Sequence, residues 1–143
     1  MKAVEILLVE DNPGDVRLTQ EALNEGRISN KLHVASDGFE AMEFLTKSGN
    51  FKNATTPDLV LLDLNLPKMN GFEVLEKIKS DEQLKLIPVI ILTTSQSEQD
   101  ILTSYSMHVN CYVSKPVEYD SFMNVVKRIE DFWFEVVKLP SRI

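Results

Sequence analysis

Leu59-Val60-Leu61-Leu62-Asp63-Leu64-Asn65-Leu66-Pro67-Lys68-Met69-Asn70-Gly71 is the stretch that decides the fold. Four aliphatic residues without polar alternation read as a strand covered on both faces. Asp63 ends that strand, and a turn containing Pro67 follows. Asn70 then stands three positions before Glu73, a cap-to-acid spacing that opens a helix. Val74, Leu75 and Ile78 recur at helical spacing behind it.

The same unit repeats outward in both directions. Short apolar runs lie at Ile6-Leu7-Leu8-Val9, Leu32-His33-Val34-Ala35, Val89-Ile90-Ile91-Leu92 and Cys111-Tyr112-Val113. Helical patterns separate them, with Ala41, Phe44 and Leu45 in one and Ile101, Leu102 and Tyr105 in another. A less periodic helix spans about Gly14 to Glu25. A last helix carries Phe122, Val125, Val126, Ile129, Phe132, Trp133 and Val136 on one stripe. Asp37 before Glu40 and Ser97 before Asp100 repeat the start signal, Gly26 can stop the first helix, and Pro88 marks entry to the fourth strand. Gly49 to Pro57 reads as an exposed loop. Five βα units with right-handed crossovers give a parallel sheet between helix layers.

The 143 residues suffice for one domain with a real core. The expectation is a single unit over 1–143, with a core of about 4–130 and a helical extension of about 131–143. Apolar residues at 43% and charged residues at 26% argue against disorder. Fifteen basic against twenty-two acidic residues give a net charge of −7, which opposes binding to nucleic acid or anionic membranes. No spanning segment and no secretory leader is expected. Cys111 is the only cysteine, so neither an internal disulfide nor a multi-Cys zinc site is possible. It reads as a small core residue, and the expected address is the cytoplasm. His33 and His108 read as structural or surface residues.

In open parallel sheets, function gathers at the carboxyl ends of the strands. Glu10-Asp11 follow the first strand, Asp63 the third, Thr93-Thr94-Ser95 the fourth and Ser114-Lys115-Pro116 the fifth. Three carboxylates thus share a rim with one ammonium and a hydroxyl. Crowded like charges raise carboxylate proton affinity or recruit a cation. An all-oxygen donor set suits a hard ion such as Mg²⁺. With that ion in place, an Asp carboxylate can attack phosphorus and become an acyl phosphate.

These motifs, with Tyr112-Val113-Ser114-Lys115-Pro116, resemble the receiver domain of two-component response regulators over about residues 4 to 130. The resemblance implies a flavodoxin-like (βα)5 fold with strand order 2-1-3-4-5. It implies Asp63 as phosphoacceptor, Glu10, Asp11, Asp63 and the Asn65 backbone carbonyl as Mg²⁺ ligands, and Lys115 paired with Asp63 or the phosphoryl group. Thr93 would bond the phosphoryl, and Tyr112 falls at the switch-aromatic position. The donor would be a phosphohistidine on a sensor histidine kinase or a histidine phosphotransfer protein. Tyr105-Ser106-Met107-His108-Val109-Asn110-Cys111-Tyr112, the loop after the second helix and Phe132-Trp133-Phe134 resemble the stand-alone regulators paired with phytochromes. Thr94 departs from the common pattern, in which a small residue follows the Thr, and this bears on phosphotransfer and hydrolysis rates.

A Mg²⁺-dependent phosphohydrolase working through an aspartyl phosphate is the main alternative. It usually needs a second Asp two residues after the nucleophile, where this chain has Asn65. A flavin or nucleotide binder on the same fold is opposed by Glu10-Asp11 in the first turn, and a pseudo-receiver by the completeness of the site. Few residues follow Val137, so the expected output is contact with a downstream protein or onward phosphate transfer. Phe132, Trp133 and Phe134 are consecutive, and no single helix face buries all three. With Val136, Val137 and Leu139 they lead to the expectation of a homodimer, the alternative being that the tail folds back on its own domain.

Overall fold

A computed structural model describes residues 3–26 and 28–140, with Val136 described by its backbone alone. Strands β1 Val4–Val9, β2 Asn30–Ala35, β3 Leu59–Leu62, β4 Val89–Thr93 and β5 Cys111–Ser114 alternate with helices. The helices are α1 Pro13–Asn24, α2 Gly38–Thr46, α3 Gly71–Ser80, α4 Glu98–Ser106 and α5 Tyr119–Glu130. Every strand pairing is parallel, in the order β2-β1-β3-β4-β5. The expected extension is described as far as residue 140.

Register explains the core. Val34, Leu8, Leu61, Ile90 and Cys111 form one lateral row across the sheet, and Ala35, Val9, Leu62, Ile91 and Tyr112 form the next. Because successive side chains point to opposite faces, the two rows serve different cores. The first joins Ala22 and Leu23 of α1 and Phe122, Val126 and Ile129 of α5. The second joins Ala41, Phe44 and Leu45 of α2 and Val74, Leu75 and Ile78 of α3.

The expected helix starts are all present. Asp37, Asn70 and Ser97 accept hydrogen bonds from the backbone N–H groups of Glu40, Glu73 and Asp100 at 2.8, 3.0 and 3.2 Å. Asn70 and Glu73 complete a reciprocal capping box.

Three expectations need correction. The segment from Gly49 to Pro57 is not simply an exposed loop. Gly49–Phe51 forms a short 3-10 turn, Phe51 and Ala54 pack on the α2–α3 core, and Pro57 is buried. The Phe51 ring meets Phe44 edge-on at 5.5 Å, which draws the loop inward. Helix α4 exists, but Leu102 and Tyr105 face outward, at 65% and 49% exposure. Its inner face carries Ser104, whose hydroxyl is satisfied by the Asp100 carbonyl at 2.7 Å.

The third correction concerns the end of the chain. Asp131–Val136 winds as a π-turn, with Val137 N–H donating to the Phe132 carbonyl at 2.9 Å. The wider winding departs from the α-helical stripe. Trp133 and Phe134 both reach the α1–α5 core, while Phe132 stays 53% exposed. Cys111 is half-buried and packs on the α1–α5 core, as a small core residue does.

Candidate phosphoacceptor site

One residue beyond the Ala35–Val9–Leu62–Ile91–Tyr112 row, the hydrophobic sheet gives way to charge. Glu10 continues from β1 through a backbone hydrogen bond to Ala35, and Asp63 continues from β3 through one to Val9. Both side chains are buried, whereas Asp11 is exposed at the mouth. Carboxylate oxygens of Glu10, Asp11 and Asp63 lie within 4.8 Å of one another. That spacing allows all three to contact one hard cation, and their donor chemistry fits it.

Lys115 leaves β5 with its N–H donated to the Thr93 carbonyl, and its side chain turns into the acidic cluster. Its Nζ donates to Glu10 Oε1, to Asp15 Oδ2 at 3.0 Å and to Asp63 Oδ2 at 3.1 Å. Burial pushes the Glu10 carboxyl up to about 7, against the pull of Lys115, with the Asp63 charge adding to the rise. Burial alone would lower Lys115. The hydrogen bond and charge of Glu10, with Asp63 and Asp15, overcome it and hold the ammonium above its ordinary value. The site is therefore built around a charged lysine.

The remaining rim residues are more loosely connected. Asp63 Oδ1 accepts from the Asn65 N–H at 3.2 Å, which turns the exposed Asn65 over the acid. Lys68 follows with φ at 63°, and its Nζ lies 3.5 Å from Asp37 Oδ2. Thr93 is fully buried and its hydroxyl lies 3.5 Å from the Ser95 N–H. Tyr112 sits on the next strand, half-buried, and its hydroxyl donates to the Ser95 carbonyl at 3.0 Å. Thr94 is exposed and borders an open cleft with Gln96, Lys115 and Glu118. His33 pairs with Glu5 at 2.7 Å and His108 is exposed, so neither joins the group.

Sequence reasoning missed Asp15. The signal was present, because Asn12 precedes Asp15 by the same cap-to-acid interval recognised at three other helices. Asn12 Oδ1 accepts from the Asp15 N–H at 3.1 Å, placing Asp15 in the first turn of α1 beside the rim.

A family model described as the response regulator receiver domain matches residues 6–127. Response regulator Rcp1 of Synechocystis sp. is 48% identical over 136 residues, 95% of this chain and 92% of that one. The crystal structure of the Mn(2+)-bound form of Rcp1 matches with a TM-score of 0.93 at 48% identity, covering 96% of this chain and 99% of that chain. The phosphorylated cyanobacterial phytochrome response regulator RcpA matches with a TM-score of 0.95 at 49% identity, covering 98% of this chain and all of that one, 100%. The chain belongs to the response regulator receiver family, a family of signalling proteins.

Proposed function

We propose that the protein accepts a phosphoryl group on Asp63 from a phosphohistidine and signals through protein contacts. The carrying observation is the Lys115 ammonium bridging Asp63 and Glu10 inside a three-carboxylate cluster. An Asp63 oxygen attacks phosphorus while the N–P bond breaks, and the imidazole nitrogen keeps the bonding pair and takes up a proton. Lys115 and the Thr93 hydroxyl would bond the equatorial oxygens. Glu10, Asp11, Asp63 and the Asn65 carbonyl would hold Mg²⁺, which supplies charge neutralisation at the transferring group. A manganese-bound relative and a phosphorylated relative support both parts of this reading.

Transmission runs through Thr93 and Tyr112. A phosphoryl group that gains a bond from Thr93 favours the state in which that bond is made. The Tyr112–Ser95 hydrogen bond already ties β5 to the β4–α4 turn, so a shift of that turn is felt at Tyr112. The donor is a sensor histidine kinase or histidine phosphotransfer protein, and similarity to RcpA favours a phytochrome kinase. The working unit is a single cytoplasmic receiver with its core at about 4–130. No described helix is long and apolar enough to cross a membrane.

Incubation with acetyl phosphate and Mg²⁺ should add one acid-stable, base-labile phosphoryl group to the wild type and none to Asp63→Asn. Equal labelling of that variant would remove the assignment.

A further inference from the structure

We infer that Asp15 is a positioning residue for phosphoryl transfer, anchoring the Lys115 ammonium from helix α1. The inference rests on Asp63 being the phosphoacceptor. An ammonium has three hydrogens, and the Nζ of Lys115 meets three carboxylates, those of Glu10, Asp15 and Asp63. The Lys115 side chain is only 3% exposed, and Asp15, at 25%, is the most exposed of its three partners.

The three acceptors differ in their other duties. Glu10 and Asp63 belong to the group whose oxygens converge within 4.8 Å, while Asp15 lies outside it. A cation draws on Glu10, and transfer converts an Asp63 oxygen into the acyl phosphate linkage. Asp15 is the acceptor that keeps its full carboxylate for Lys115 throughout. It is also well mounted. Its N–H is held by Asn12 at 3.1 Å and its carbonyl accepts from the Thr19 hydroxyl at 2.8 Å, both within the rigid start of α1.

Without that anchor, Lys115 keeps only the acceptors that a cation and the transfer itself also use, and its flexible four-carbon stem is held less firmly where the phosphoryl oxygens arrive. The anchor joins the ends of two elements far apart in sequence, α1 and β5. It fixes the ammonium tip beside Asp63 before any donor arrives.

The test uses the full chain with Asp15→Ala and Asp15→Asn. The Asn12 cap bonds the backbone N–H of residue 15, which both variants retain. Labelling of Asp63 by acetyl phosphate should slow by about tenfold in Asp15→Ala, the loss expected when an orienting partner is removed. Asp15→Asn keeps an acceptor oxygen and should recover most of the rate. Mg²⁺ affinity in the absence of donor should fall only slightly, and equally, in both, through the loss of one nearby negative charge. Without metal or donor, the Lys115 ammonium should give a slowly exchanging NMR signal that Asp15→Ala loses and Asp15→Asn keeps.

Wild-type or faster labelling by Asp15→Ala, or an unaltered ammonium signal, overturns the role of Asp15. A loss of Mg²⁺ binding as large as that of Asp11→Ala also overturns it, because Asp15 would then act as a metal ligand. A wild type that is not labelled on Asp63 overturns the proposed function itself.

Discussion

Asp37 shows how much one carboxylate can hold. It caps α2 through the Glu40 N–H and reaches Lys68 in the turn beyond Asp63. The Glu40 N–H, with the nearby Lys68 charge, keeps this carboxyl below its ordinary value of 3.8. A group lowered in this way stabilises the fold at neutral pH, and the contribution drains away as pH falls below 3.8 through the lowered value. Asp37→Ala should therefore cost about 1 kcal/mol at neutral pH, as loss of a cap does. The deficit should shrink in strong acid. Denaturant melts of both proteins across that range check it, and a pH-independent difference would contradict the electrostatic part. The residues that end strands, Glu10, Asp63, Thr93 and Lys115, were readable because a strand end is marked by where the aliphatic run stops. The place of Asp15 in the first turn of α1 was readable from the Asn12 cap spacing, but its contact with Lys115 was not, because that depends on the way α1 sits over the rim.

Helix α4 is the least anchored of the five helices. Ser104 is its one buried residue, whereas α3 buries Gly71, Val74, Leu75 and Ile78. Few buried contacts mean a low cost of local opening. Amide exchange in α4 should be faster than in α3 by about tenfold or more, and equal protection would count against a mobile α4. Element existence was legible from unalternated runs and cap spacing. Facing was not legible for α4, because Ile101, Leu102 and Tyr105 satisfy a helical period without stating which side meets the sheet. The π-turn was equally hidden. Period arguments assume α-helical winding, and Asp131–Val136 departs from it just where three aromatics crowd together.

At the scale of the molecule, the C-terminal segment still exposes apolar surface at Phe132, although less than the sequence suggests. Trp133 and Phe134 return to the chain's own core, and Phe132 is left outside with its ring edge-on to Trp133 at 5.8 Å. A homodimer through this surface should appear by light scattering at tens of micromolar, and Phe132→Glu should shift it to monomer. A wild type that stays monomeric, with and without the phosphoryl group, ends that reading.

The sheet is also a partition. Side chains of one row never enter the core served by the next, so a defect on one side has no cavity to share with the other. Ile78→Val, on the inner face of α3, and Ile129→Val, on the inner face of α5, should each cost about 1 kcal/mol. The double variant should lose the sum to within about 0.5 kcal/mol. Mutational damage in this fold is thus confined by side, and sequence drift beneath α1 and α5 can proceed independently of drift beneath α2 and α3.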